Sequence, residues 1–259
     1  MTARNHLATF LAAFVSFVST VVVLGIPAPA APRPIPAGTI TVSAAASLTD
    51  VFPVIAQEFE RRYPQIEVRF NFGGSPALVE QMRAGAPVDV LATASESTMN
   101  KALSDRLVGR PLLFAKNSMM IATPPGNPAG VKSLNDLPNV SVAVCEATVP
   151  CGAATQSLFS ANKLSVSPVT KELDVRAVLG KVMADQVDAG IVYVTDVRAV
   201  GKRVTGLSIP ASQNVTTTYP IAVASDTKQK AAAKAFVDYV RYSTSAQGIL
   251  RAWGFAKPW

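Results

Sequence analysis

The amino-acid sequence predicts an α/β protein of two lobes joined by two crossing strands. Short apolar runs with strand periodicity alternate with helical segments along most of the chain, a pattern typical of parallel sheets covered by helices. Breaks rich in proline or polar residues, at 123–130 and 210–218, bracket a middle segment. The first and last thirds of the chain then form one lobe, and the middle segment forms the other. The runs at 118–123 and 219–225 cross between the lobes and make a hinge around a cleft.

The individual elements follow from these patterns in chain order. Strands are predicted for apolar or alternating runs, at 39–44, 66–72, 88–94, 118–123, 140–144, 189–194 and 219–225. Helices are predicted between and after them, at 48–62, 75–84, 95–105, 152–163, 174–184, 228–242 and 245–253. Pro53 predicts a kink or a restart in the first helix, with Asp50 as a second cap. Ser75 is the expected N-cap of the second helix, and Pro76 its first residue.

The N-terminal segment predicts a secretory signal over 1–30. Arg4 precedes an apolar run at 7–26, and an exit of the form Ala-x-Ala follows at 28–30. The run is almost long enough to span a membrane, so an uncleaved anchor is the alternative. We therefore expect export to the periplasm or the cell-envelope space. The expected domain boundaries are a signal at 1–30, a leader at 31–38, one lobe from 39–119 and 222–259, and a second lobe from 120–221.

Composition narrows the classes of function. Without Arg4, 23 basic and 17 acidic residues remain, a net charge of +6 that is scattered along the chain. The sequence has no long basic run with interleaved aromatic residues, which argues against nucleic-acid binding. The single histidine, His6, lies in the signal, so the exported chain has no imidazole for a Ser-His or Cys-His nucleophile or for a His-based zinc site. Carboxylate chemistry stays open, and an exported hydrolase with Ser47 as nucleophile is a remote alternative that lacks a nearby base.

The only two cysteines, Cys145 and Cys151, lie close together in CEATVPC. In an exported protein such a pair is most simply a disulfide, and two free thiols are the alternative. Because the loop is short, the expected stabilisation is at the low end of about 2–4 kcal/mol. The bridge is therefore expected to fix local shape more than to hold the fold together.

A strand-to-helix turn lined with small side chains lies at 40–50, ITVSAAASLTD. Small side chains let a ligand approach the backbone, and Ser47 adds a hydroxyl beside the unpaired amides of a helix start. An anion is one candidate occupant, and a tightly packed helix cap is the structural alternative. Other positions share this supply of donors without a titrating base: Ser75 after Gly73-Gly74, Cys151 after Pro150, the helix start at Asp174-Val175-Arg176, and Tyr193 at the end of a buried strand.

Each of these positions taken alone also has a structural interpretation. Ser75 would be a plain cap, and Asp174 would cap its own helix. Tyr193 would be a core residue. Asp89 and Arg176 would form a structural ion pair outside the site. The binding interpretation therefore depends on the set and not on any one member.

Taken together, these segments resemble the molybdate-binding proteins of bacterial ABC importers. The resemblance covers nearly all of the exported chain through AAASLTD, GGSPALVEQMRAGAPVDVLATAS, VPCG, DVRAVLGKV, AGIVYVTD and YPIAV, in the same order and spacing. It implies a type II-like periplasmic-binding-protein fold. It also implies an exported binding protein that delivers molybdate, with tungstate as a second ligand, to a membrane permease.

The resemblance also assigns the oxyanion contacts. They are Ser47 through its hydroxyl and amide, Ser75, the amides of Cys151 and Val175, and the hydroxyl of Tyr193. The family often has alanine at position 151, and only the amide is needed there. Molybdenum would be present only as bound molybdate, with no further cofactor and no catalytic residue, in a protein expected to be a monomer.

Physical chemistry supports this ring of donors and leaves other anions open. A dianion without protons accepts hydrogen bonds and donates none, so a ring of donors without carboxylates suits it. The alternatives of the same class are sulfate, thiosulfate and phosphate, since cavity size cannot be read from one sequence. A ligand sensor at the cell surface would share the site and differ only in its partner.

Overall fold

The computed structural model describes residues 1–2 and 36–258. Apart from its first two residues, the predicted signal lies outside the described residues, as does the leader at 31–35. None of the helices in the described part of the chain is long and apolar enough to cross a membrane.

Strands and helices alternate along the described chain. The strands are β1 (Gly38–Ala45), β2 (Ile66–Gly73), β3 (Val90–Ala92), β4 (Leu112–Thr123), β5 (Val142–Cys145), β6 (Thr170–Glu172), β7 (Ala189–Tyr193), β8 (Thr205–Ser208) and β9 (Thr216–Val223). The helices are α1 (Val51–Arg62), α2 (Ser75–Arg83), α3 (Glu96–Ser104), α4 (Pro150–Ala161), α5 (Val175–Met183), α6 (Val194–Val200), α7 (Lys230–Tyr242) and α8 (Thr244–Ala252). The predicted alternation is confirmed. α1 begins at Val51 and includes Pro53 in its first turn, and Asp50 occupies its N-cap position. The Asp50 carboxylate makes no capping hydrogen bond, however, and pairs with Arg176 instead.

The strands form one path in the order β2-β1-β3-β9-β4-β7-β5-β6, and β8 also pairs with β4. β1 runs parallel to β2 and β3, and β5 runs parallel to β6 and β7. β4 is the link between these groups, because its first part pairs with β9 and its last part pairs with β7 and β8. The predicted crossing strands are therefore β4 and β9, although both begin earlier than their apolar patterns indicated.

Two large hydrophobic clusters mark the two lobes. The first takes buried residues from both ends of the described chain, such as Ile40, Phe52 and Phe236. The second takes them from the middle, between Met119 and Ile209. We call the part built from β1–β3, α1–α3, α7 and α8 the terminal lobe. The part built from β5–β8 and α4–α6 is the middle lobe.

Three short elements and one cap differ from the sequence-based expectation. β6, β8 and α6 were not predicted. Thr170–Glu172 and Thr205–Ser208 are short, partly exposed strands without an apolar run. α6 is a helix of seven residues that begins directly after β7. Ser75 is not an N-cap but the first residue of α2, and Gly74 occupies the cap position. Asp174 caps α5 as predicted, since its carboxylate accepts from the amides of Arg176 and Ala177.

Candidate functional site

All five residues that the sequence singled out line one cavity between the two lobes. The rest of the cavity wall consists mainly of small residues and lies at the ends of strands and helices. The cavity has a volume of about 20 Å³, whereas pockets for drug-sized ligands have about 300–1,000 Å³. The site therefore has room for a small solute and not for a larger organic molecule.

The terminal lobe contributes Ser47 and Ser75. Ser47 lies in the short 3-10 turn Ala46–Leu48 that follows β1, and its side chain is 4% exposed. Ser75 opens α2, and its hydroxyl accepts a hydrogen bond from the amide of Ala94, 3.2 Å away. That bond leaves the proton of the Ser75 hydroxyl available as a donor. The alanines beside Ser47 have small side chains, so a solute can approach the backbone there.

The start of α4 contributes Cys151 to the middle-lobe wall. As the second residue of an α-helix, Cys151 has an amide without an intrahelical acceptor. A disulfide joins it to Cys145 at the end of β5. Gly152 packs directly against the carbonyl of Glu146, where a Cβ would clash. The bridge and the close packing together hold the first turn of α4 at the end of the strand.

The start of α5 contributes Val175 to the same wall. Asp174 uses its carboxylate to cap Arg176 and Ala177 at 2.8 and 3.0 Å, and the amide of Val175 precedes these capped groups. As the first residue of α5, Val175 has no intrahelical acceptor for its amide. The terminal lobe comes very close here, since a Cβ on Gly74 would lie 2.5 Å from the carbonyl oxygen of Leu173.

Tyr193 closes the cavity at the end of β7. Its side chain is 1% exposed, and its backbone amide donates to Asp196 at 3.0 Å. Among the described residues, its hydroxyl makes no hydrogen bond of ordinary geometry, although the side chains of Thr217 and Tyr219 lie close enough to affect its pKa. Burial raises the pKa of Tyr193 well above its ordinary value, so the hydroxyl keeps its proton and can donate.

The wall of the cavity is rich in donors and poor in charge. Within the described residues it holds no lysine or arginine, and its one carboxylate is that of Asp174, which is already used as a cap. Residues 36–258 also contain no group of three or more histidine, cysteine and acidic side chains that could hold a metal ion. Chemically, the site can donate hydrogen bonds to a small acceptor from two helix starts and three hydroxyls.

Sequence reasoning missed the polar residues behind the cavity. Tyr219 and Asn117 lie on the crossing strands and carry a buried hydrogen-bond network that reaches Ser47. Their partners are far away in the sequence, so no local pattern indicates them.

The suggested ion pair between Asp89 and Arg176 is wrong. The Asp89 carboxylate accepts from the amide of Thr41 and the hydroxyl of Thr227. Arg176 pairs with Asp50, and its Nε lies 3.3 Å from Asp196 Oδ1. Arg176 lies in the middle lobe and Asp50 in the terminal lobe, so this ion pair crosses the cleft.

The chain is similar in sequence and in fold to known proteins. The chain is 42% identical over 227 residues to the molybdate-binding protein ModA of Mycobacterium tuberculosis (strain ATCC 25618 / H37Rv), covering 86% of each chain. It is similar in fold to the periplasmic molybdate-binding protein of Azotobacter vinelandii, with a TM-score of 0.75, 18% identity, and coverage of 85% of this chain and 100% of that chain. It is also similar to the sulfate-binding protein SubI of Mycobacterium tuberculosis H37Rv, with a TM-score of 0.71, 18% identity, and coverage of 85% and 87%.

The two solved structures confirm the predicted two-lobed periplasmic-binding-protein fold. They show the fold alone, because their sequence identity to this chain is low. The sequence over residues 40–256, nearly the whole described chain, matches the family of bacterial extracellular solute-binding proteins. The chain belongs to the family of bacterial extracellular solute-binding proteins.

Proposed function

We propose that the protein is an exported binding protein that captures molybdate, and also tungstate, and delivers it to the permease of an ABC importer. The observation that carries this proposal is the meeting of five predicted donor residues around one small cavity: Ser47, Ser75, Cys151, Val175 and Tyr193. The 42% identity to a molybdate-binding protein of Mycobacterium tuberculosis supports the choice of ligand.

The chemistry of the wall suits a tetrahedral dianion that carries no proton. Each hydrogen bond to a charged group contributes about 1.5–3 kcal/mol, so several neutral donors suffice for tight binding without a lysine or arginine. The starts of α4 and α5 add a favourable dipole and free amides. Monohydrogen phosphate carries a proton that needs an acceptor, and the Asp174 carboxylate already accepts from two amides.

Delivery to a permease requires the lobes to close on the ligand. A ligand shifts an equilibrium between open and closed forms only by binding one form better, which requires contacts with both lobes. Ser47 and Ser75 belong to the terminal lobe, and the other three donors belong to the middle lobe. We propose the division into 39–119 with 222–259 and 120–221, with β4 and β9 as the hinge. We also propose that the protein works as a monomer in the periplasm and performs no reaction.

An importer of sulfate or thiosulfate is the second candidate, because a sulfate-binding protein shares the fold and a sulfate ion also lacks protons. A hydrolase that uses Ser47 finds little support in the site. The Ser47 hydroxyl is 2.9 Å from that of Tyr219, and burial raises the pKa of Tyr219 well above its ordinary value. Tyr219 therefore keeps its proton and does not act as a base. A surface sensor would share the site, and recovery of a permease in a pull-down would argue for the importer.

Thermal unfolding with molybdate, tungstate, sulfate and phosphate at equal concentration tests the proposal. A ligand at about 1,000 times its Kd stabilises the folded state by about 4.1 kcal/mol. We expect large increases in Tm with molybdate and tungstate and small ones with sulfate and phosphate. An unchanged Tm with both molybdate and tungstate would overturn the assignment, and an increase with sulfate alone would favour the second candidate.

A further inference from the structure

A buried chain of hydrogen bonds runs from the cavity across the crossing strands. The hydroxyls of Ser47 and Tyr219 are 2.9 Å apart, and Asn117 Nδ2 lies 3.3 Å from the Tyr219 hydroxyl. The same Nδ2 lies 2.8 Å from the hydroxyl of Thr195 in α6. All four side chains are at most 4% exposed. These hydrogen bonds thus connect Ser47, a proposed ligand contact of the terminal lobe, to the middle lobe through β4 and β9.

The orientation of the Asn117 side chain determines which groups donate and which accept in this series of hydrogen bonds. Asn117 Oδ1 accepts from the backbone amide of Ser118 at 3.0 Å, and a backbone amide can only donate. The oxygen of the side chain is therefore on that side, and Nδ2 faces Tyr219 and Thr195. Because an amide nitrogen donates and does not accept, the oxygen of Tyr219 must act as the acceptor.

The proton of Tyr219 then belongs to the bond with Ser47. Among the described residues, the hydroxyl of Tyr219 forms hydrogen bonds of ordinary geometry with Asn117 and Ser47. The hydroxyl of Thr217 also lies near it, but without such geometry. If it accepted from both, its own proton would be buried without an acceptor, which costs about 1–3 kcal/mol. Donation to Ser47 gives the proton of Tyr219 an acceptor. Burial also keeps Tyr219 protonated by raising its pKa.

We propose that Tyr219, oriented by Asn117, is a positioning residue that directs the hydroxyl proton of Ser47 into the ligand cavity. Once Ser47 accepts the proton of Tyr219, its own hydroxyl proton is left for the solute. Ser47 then presents a donor, as an acceptor-only anion requires. This inference rests on the proposed function, because it assigns Ser47 to the ligand.

A double-mutant cycle on molybdate binding, measured by calorimetry, tests the positioning role. Ser47→Ala should weaken binding by about 10- to 100-fold, and Tyr219→Phe by about 3- to 10-fold. Because Tyr219 acts through Ser47, the double variant should bind no more weakly than Ser47→Ala alone. Tyr239→Phe is the matched control, since Tyr239 is a half-buried tyrosine of the terminal lobe that packs on Phe59, and it should bind as wild type does.

The outcomes separate this inference from the proposed function. If wild-type protein binds molybdate and Tyr219→Phe binds equally well, the positioning role is overturned and the function stands. Equal losses from Tyr219→Phe with and without Ser47 would also overturn it, because a purely structural role would be additive. If Tyr219→Phe does not fold, the same cycle with Asn117→Leu decides in the same way. A wild type that binds no oxyanion would overturn the function, and this inference with it.

Discussion

At the scale of single residues, Tyr193 combines a buried ring with a hydroxyl that makes no hydrogen bond of ordinary geometry in the described part of the chain. Leaving a buried hydroxyl unpaired costs about 1–3 kcal/mol, so such a group calls for an explanation. Donation to a ligand is the explanation that the cavity offers. The sequence placed Tyr193 at the end of a buried strand, but the missing partner is visible only once β4 and β9 are packed beside it.

Replacing Tyr193 by phenylalanine should separate binding from stability. We expect molybdate to bind on the order of 10-fold or more weakly, because one bond to a charged group is lost. Without ligand, Tm should change little, since the variant removes a hydroxyl that makes no hydrogen bond of ordinary geometry and keeps the packing against Tyr219. Calorimetry and thermal unfolding measure the two effects, with Tyr239→Phe as the control. Wild-type affinity in Tyr193→Phe would remove this residue from the site.

At the scale of elements, the first turn of α5 brings together several parts of the molecule. Its cap, Asp174, leaves the amide of Val175 free for the cavity, and Arg176 reaches both α6 and the terminal lobe. The start of α2 approaches the same turn at Gly74. These contacts make the junction between α2 and α5 a natural place to test closure.

Replacing Gly74 by alanine should impair closure without disturbing the terminal lobe. Gly74 has a φ of −61°, which any residue can adopt, so the backbone is not strained by the change. The new Cβ would lie 2.5 Å from Leu173 O, and relief of such overpacking costs about 1–3 kcal/mol. Because separation of the two lobes relieves this contact, we expect an unchanged Tm without ligand. Molybdate, which would hold the lobes together, should bind about 10-fold more weakly. Gly180→Ala, in open space on α5, is the control, and wild-type affinity in Gly74→Ala would contradict the prediction.

The contact between α5 and α6 should make stability depend on pH. Asp196 is fully buried, and burial raises its pKa from 3.8 to about 6 although the charge of Arg176 lowers it. The folded protein therefore binds this proton more tightly than the unfolded chain, and stability falls as pH rises from about 4 to about 6. Asp174, a nearby like charge, acts in the same direction as burial.

Urea unfolding between pH 4 and pH 8, compared with Asp196→Asn, measures this contribution. Relative to the variant, the free energy of unfolding of the wild type should fall by about 2–3 kcal/mol across the window. Above about pH 6, the difference in the free energy of unfolding between wild type and variant should be constant. A difference that does not change with pH would contradict the assignment to Asp196.

At the scale of the whole molecule, the ion pair between Asp50 and Arg176 links the lobes directly. Partly exposed pairs of this kind contribute about 0.2–1 kcal/mol and are screened by salt. A pair of this strength favours contact between the lobes only slightly, so we expect a ligand to supply the larger share of the stabilisation. That balance suits a protein that must release its solute.

Replacing Asp50 by asparagine should weaken molybdate binding by about 2- to 5-fold at low salt. The difference from wild type should shrink at high salt, because screening removes the contribution of the pair. Calorimetry at two sodium chloride concentrations measures both effects. Asp238→Asn is the matched control, since its partner Lys234 lies on the same helix, α7. Equal affinities of wild type and Asp50→Asn at low salt would contradict a role in closure.

The predictions from sequence succeeded where the signal is local. Periodicity and turn residues placed most strands and helices, and the cap at Asp174 needed only its own neighbours. They failed where a partner is remote. Ser75 has the chemistry of an N-cap, but its hydroxyl bonds to Ala94 of another element. Arg176 pairs with a residue 126 positions away instead of Asp89. Short edge strands such as β6 carry too few apolar residues to be recognised.

By itself, the sequence determined the alternation of strands and helices, the middle segment between two breaks and the residue types available to a binding site. These depend on the spacing of apolar side chains and on donors carried by neighbouring residues, which are short-range properties. Only the tertiary structure decided how those donors meet. The bond between Ser47 and Tyr219 spans 172 positions, and the ring of Tyr193 packs against that of Tyr219. Such relations exist only after β4 and β9 have crossed between the lobes, because packing across the sheet, and not the order of residues, sets these distances.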